Sequence, residues 1–132
     1  MIPYYLAIYA IGTAIILYFA RETKSFLASH ASIDHPDGLE AFKRLARRNM
    51  TMALPYGLFM IVGVALGLHI VLQDNLAGFS LFAAANIPFM AAALALRRLE
   101  IQARELPCTD PVFIVEYNRV SRSWLQDLWP KF

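Results

Sequence analysis

Three histidines carry most of the chemistry this sequence could perform. His30 and His35 share a short polar stretch with Asp34 and Asp37, and His69 stands alone inside an apolar run. Imidazoles and carboxylates this close are donors that a divalent cation accepts, but their spacing matches no standard metal site. Pro36 and Asp37 also have another use, as the first turn of a helix. An imidazole titrates near neutral pH, so His69 could ligate haem or pass a proton. A bis-histidine haem site needs a second histidine at the same depth, and the chain offers none. A small cofactor-binding membrane protein using His69 is therefore one alternative, and no cofactor or metal is assigned. Cys108 is the single cysteine, which leaves no internal disulfide, and nothing nearby resembles an activating base. No serine or threonine sits in a nucleophile-and-base arrangement, and no glycine-rich phosphate loop follows a strand. The expectation is a protein that is not an enzyme.

The elements that would position these residues are unusually apolar. Of 132 residues, 58% are hydrophobic and 17% charged, against about 45–50% and 25% in soluble domains. Three stretches, residues 2–20, 51–72 and 76–96, contain no Asp, Glu, Lys or Arg. Each meets the requirement of roughly 20 residues for a helix to cross about 30 Å of hydrocarbon. Lipid gives a bare backbone no hydrogen-bond partner, and no alternation suggests barrel strands, so helices are expected. The uncharged opening, residues 1–5, with Arg21 and Lys24 only after the apolar run, reads as an uncleaved anchor. The fold class is thus an all-α integral membrane protein, one domain over residues 1–132. It has three transmembrane helices, helical extensions into the cytoplasm and an amphipathic cytoplasmic C-terminal segment.

Charge gives the orientation. The link, residues 21–50, holds Arg21, Lys24, Lys43, Arg44, Arg47 and Arg48; the tail, residues 97–132, holds Arg97, Arg98, Arg104, Arg119, Arg122 and Lys131. The short turn between the second and third stretches, residues 73–75, has no cation. Basic loops stay on the cytoplasmic side, which puts the amino terminus and that turn outside and the carboxyl terminus inside, as in a bacterial-type inner membrane. Arg21, Lys24, Arg47, Arg48, Arg97 and Arg98 would ring the inner headgroups and attract anionic lipid. The net charge of +2 gives no reason to expect nucleic acid.

Beyond the spans, residues 21–29 extend the first helix. A second helix starts near Pro36 and carries an apolar stripe, Leu39, Phe42, Leu45 and Ala46, with no breaker before Pro55. In the tail, Asp110 and Pro111 read as a cap and first helical residue. Phe113, Tyr117, Val120 and Trp124 then share one helical face, although residues 112–115 are locally strand-like. With Trp129, these aromatics could fold back on the protein's own helices, lie in the lipid interface or dock on a partner.

Within the spans, Gly57, Gly63 and Gly67 mark the second, the last two as Gly-x-x-x-Gly. Ser80, Ala84, Pro88 and Ala92 fall at four-residue spacing along the third. Small side chains let helices approach closely in lipid, so either spans two and three pack against each other or one small-residue face binds another subunit. Asn86, near the middle of the third span, calls for an interhelical hydrogen bond or for contact with a substrate, pigment or quinone at the site where Pro88 would kink the helix. The function expected from these features is a non-catalytic small subunit of a larger membrane assembly, with membrane lipids and other subunits, or its own copies, as partners. A homo-oligomeric transport or channel element is the alternative. In its topology alone, three spans with an external amino terminus and a tight outer turn, the chain is similar to the TolQ/ExbB stator proteins. Its link is far shorter, and none of that family's pore residues has a counterpart here.

Overall fold

The computed structural model describes residues Met1–Phe132 as three helices and no strand: α1, Ile2–Ser29; α2, Pro36–Arg104; and α3, Pro111–Gln126. Both α1 and α2 are long and apolar enough to cross a membrane. At 69 residues, α2 would be about 100 Å long if straight. It is not straight. Asn75, at φ 47° and ψ −114°, is its one non-helical residue, and there the chain reverses. With ψ at −114° Asn75 lies outside the left-handed helical basin, in the region of a tight reverse turn that glycine adopts most readily and asparagine next. The turn expected over residues 73–75 is thus concentrated in one residue. Pro55 and Pro88 keep helical dihedral angles, so the change of direction comes at Asn75 and not at Pro88.

The two limbs of α2, residues 36–74 and 76–104, pack antiparallel. Near the reversal they approach so closely that a Cβ on Gly78 would lie 2.6 Å from the Ile70 carbonyl oxygen. At the far end Asn49 Nδ2 donates to Glu100 Oε1 at 3.1 Å. Helix α1 completes a bundle of three, antiparallel to the first limb and parallel to the second. Its Tyr5 and Tyr9 reach Phe82 and Asn86, and its Gly12 carbonyl accepts from the Tyr56 hydroxyl at 3.3 Å. The buried residues of α1 are Tyr5, Tyr9, Gly12, Ile16, Phe19, Thr23 and Phe26. They alternate steps of four and three, the spacing that lets two helices interlock with a shallow left-handed crossing.

A second core lies where the helices outrun the apolar stretches. Phe26, Ile33, Leu39, Phe42, Leu45, Ala46, Ala103, Tyr117 and Val120 form one buried cluster. Helix α3 starts as its sequence suggests, with Asp110 as N-cap accepting from the Val112 amide at 2.9 Å. The strand-like run 112–115 is helical, because only helical spacing brings Tyr117 and Val120 together on this cluster. The Tyr117 hydroxyl also finishes α2: it donates to the Ala103 carbonyl at 2.7 Å and accepts from the Leu106 amide at 2.9 Å. The Ala103 carbonyl is one of those that a helix end leaves without a partner, and the Leu106 amide belongs to the turn that follows it.

Candidate functional site

Inside the bundle the polar side chains satisfy one another. Asn86 Nδ2 donates to the Phe82 carbonyl at 2.8 Å and to the Tyr5 hydroxyl at 3.2 Å, and its Oδ1 accepts from Tyr9 at 3.1 Å. Asn86 therefore has the interhelical bonds its position calls for, and the partners are two tyrosines of α1. Neither tyrosine stood out in the sequence. The detectable signal was the four–three spacing that Tyr5 and Tyr9 share with Gly12 and Thr23, four residues less oily than their neighbours. Where every position is apolar, hydrophobic periodicity has no contrast, and small or hydroxyl-bearing residues must mark the inner face.

The small residues divide between inside and outside. A Cβ on Gly67 would meet the Phe82 ring at 2.6 Å and Tyr5 at 2.8 Å, and one on Gly63 would meet Ile8 at 2.8 Å and Tyr9 at 3.3 Å. This face is filled largely by α1. Contrary to expectation, spans two and three do not pack on each other through Gly63, because α1 lies in the groove between the limbs; only Phe82 of the second limb reaches the face, at Gly67. Ala92 is buried, whereas Ser80, Ala84 and Pro88 are exposed on the outer surface of the second limb. Ser80 turns its hydroxyl back to the Leu76 carbonyl at 2.9 Å. Gly57 faces open space, with nothing within 4 Å of an added Cβ.

At the basic end of the bundle the three helices part around a cleft of about 230 Å³. Its apolar walls include Ile16 and Phe19 of α1, Met52 of the first limb and Leu96 of the second, and its polar end is Asn49, Arg97 and Glu100. Burial pushes the Glu100 carboxyl above its ordinary range, and the Asn49 bond and the Arg104 and Arg97 charges offset only part of that. Asn49 Oδ1 is shut away without any hydrogen-bond partner. Arg97 is exposed and enters none of the ion pairs. The charged end of this cleft was not foreseen, because Asn49 and Glu100 are 51 residues apart and meet only through the reversal at Asn75.

The other candidates are dispersed. His69 is exposed on the outer surface of the bundle. His30 stacks on Phe26, ring centroids 4.7 Å apart, and its Nδ1 lies 3.1 Å from the Phe26 carbonyl oxygen. Asp34 interacts with Ser32 and Thr109, His35 and Asp37 are exposed, and no three His, Cys, Asp or Glu side chains converge. Burial raises the Cys108 thiol above its ordinary pKa, with Asp34 and Asp110 adding to the effect, so the nucleophilic thiolate is disfavoured. Of the basic ring, Arg48 pairs with Glu22 at 3.2 Å and lies over the Tyr18 and Phe19 rings. Arg47 donates to the main-chain oxygen of Phe132. Arg21, Lys24 and Arg98 are exposed, like Arg97.

The tail aromatics are mostly engaged within the chain. Tyr117 and Val120 are buried, Phe113 and Trp124 pack against the same cluster, and Trp124 also lies against the Arg104 guanidinium. Trp129, outside α3, is 53% exposed. Of the tail residues expected to meet a partner, it alone is turned mainly outward. Set beside known protein families, characterised proteins and solved structures, the chain matches none.

Proposed function

We propose that this is a multi-pass membrane protein acting as a non-catalytic small subunit of a larger membrane assembly. Residues 2–20, 51–72 and 76–96 are its spans, its amino terminus and Asn75 are outside, and its carboxyl terminus is in the cytoplasm of a bacterial-type cell. The observation that carries the subunit reading is the outward line Ser80, Ala84 and Pro88. Internal packing already uses Gly63 and Gly67, so this second set of small residues is unspent, and in lipid such a face favours close approach of another helix. The outward Gly57 offers the first limb a similar opportunity. Leu128 and Trp129, 78% and 53% exposed, come next to the base of the bundle, where Leu128 borders Asn49 and Leu54. That is the depth at which tryptophan anchors to headgroups.

A pore-lining role has less support. Tyr5, Tyr9 and Asn86 point at one another inside a single chain, which leaves no polar stripe on an outward helix face. A cofactor role for His69 lacks a second ligand from this chain. Purification in a gentle detergent, with mass spectrometry of what co-elutes, tests the subunit reading. A stoichiometric protein partner or a discrete self-assembly is expected, with Ala84→Leu and Gly57→Leu weakening it while insertion persists. A bare monomer indifferent to both substitutions would overturn it.

A further inference from the structure

The cleft at the basic end is a candidate ligand site in its own right. At about 230 Å³ it lies below the roughly 300–1,000 Å³ of pockets that enclose drug-sized molecules. An apolar segment fits its walls, and a polar group would sit among Asn49, Arg97 and Glu100. At that polar end the Glu100 carboxylate receives one side-chain bond, from Asn49, and enters no ion pair. Beside them Arg97 is a cation without an ion-pair partner. The complementary head group carries N–H donors and positive charge toward Glu100 and negative charge toward Arg97.

We propose that the cleft holds a phospholipid of the phosphatidylethanolamine type, its ammonium on the Glu100 carboxylate, its phosphate on Arg97, and part of an acyl chain between Phe19, Met52 and Leu96. This rests on the membrane reading above. An ammonium brings three donors and a full charge to a carboxylate whose desolvation is otherwise only partly offset. A choline head group has the same charge but no N–H, and a glycerol head group has hydroxyls but no cation. Three common lipids thus separate hydrogen bonding, cationic charge and simple anion attraction.

The test uses the full-length protein, stripped of lipid in detergent and given equimolar phosphatidylethanolamine, phosphatidylcholine and phosphatidylglycerol. Native mass spectrometry reads the retained lipid. Phosphatidylethanolamine should be favoured by about tenfold or more, the scale of a charge-assisted hydrogen bond. Glu100→Gln should abolish that preference, Arg97→Gln should weaken retention of all three lipids, and Ala93→Phe, which narrows the cleft from its apolar side, should reduce retention without changing the order. Arg122→Gln, on α3 and away from the cleft, should change nothing. Helical content by circular dichroism identifies any variant that has failed to fold, and the wild-type ranking stands independently of the variants. Equal retention of the three lipids, a preference for phosphatidylglycerol, or an undiminished preference in folded Glu100→Gln would overturn the proposal. Release of the protein into solution without detergent would instead overturn the membrane reading beneath it.

Discussion

In the membrane setting proposed above, a hydrogen bond between helices and a well-filled groove are competing sources of stability, and Asn86 and Gly67 allow them to be weighed. Interhelical hydrogen bonds in membranes average about 0.6 kcal/mol and reach about 1.7. The Asn86 cluster joins two helices through Tyr5 and Tyr9, so Asn86→Leu is expected to cost about 1–2 kcal/mol and Tyr9→Phe about 0.5. At Gly67 even a Cβ falls 2.6 Å from Phe82 and 2.8 Å from Tyr5. Overfilling a packed site costs about 1–3 kcal/mol, occasionally more, and two ring-bearing neighbours on different helices make Gly67→Leu the more damaging change. Denaturant titration of the purified protein in detergent should therefore rank Gly67→Leu above Asn86→Leu above Tyr9→Phe; the reverse order would mean that polar contacts, not packing, hold α1 in place. The sequence announces Asn86 as a polar anomaly and Gly63 and Gly67 as a motif. It does not announce the tyrosines that serve both, because a tyrosine near a span end reads equally well as an interfacial anchor.

Among the elements, α2 and α3 each depend on a few single residues. The reversal at Asn75 needs a positive φ, which costs a β-branched residue about 1–3 kcal/mol and glycine nothing comparable. Asn75→Val should lower the melting temperature of the bundle, and Asn75→Gly should leave it unchanged or raise it. Helix α3 is held by its Asp110 cap and by the Tyr117 hydroxyl, which bridges Ala103 and Leu106. Tyr117→Phe leaves those two backbone groups unpaired, at a cost of about 1–3 kcal/mol; exposure of Trp124, followed by fluorescence quenching, should report it. An ion pair between Lys43 and Glu116, 3.1 Å apart, also ties α3 to the first limb of α2. Arg119 and Lys43 hold the Glu116 carboxyl below its ordinary range. The lowered pKa means that this support is complete above the ordinary carboxylate value of 4.5 and is lost as pH falls through the depressed one. Glu116→Gln should remove that acid-dependent part of α3 release, an effect within the roughly 0–1 kcal/mol of exposed pairs. These termini were legible from local chemistry: Asp-Pro before an apolar stripe, and no breaker between Pro36 and Pro55. What α3 packs against was not legible, since a short aromatic amphipathic segment fits its own protein, a lipid surface or a partner equally well.

For the whole molecule, the directions of the helices decide where the charges collect. The reversal at Asn75 and the start of α1 lie at one end of the bundle, and Glu22–Arg48 and Asn49–Glu100 lie toward the other. The twelve lysines and arginines are confined to residues 21–48 and 97–131, so the fold gathers them toward that second end. Two helices meet the length and apolarity needed for crossing; the interrupted α2 supplies the second and third of the three spans proposed. The measurement that bears most directly on this arrangement is sidedness of thiol labelling in intact cells, with Cys108→Ser removing the native thiol. Asp74→Cys and Gln102→Cys, both at exposed positions, then serve as reporters for opposite ends. A membrane-impermeant maleimide is expected to modify Asp74→Cys from outside and to reach Gln102→Cys only after the cells are opened. Modification of Gln102→Cys from outside, with Asp74→Cys protected, would contradict the orientation, and equal modification of both in intact cells would contradict the crossing itself.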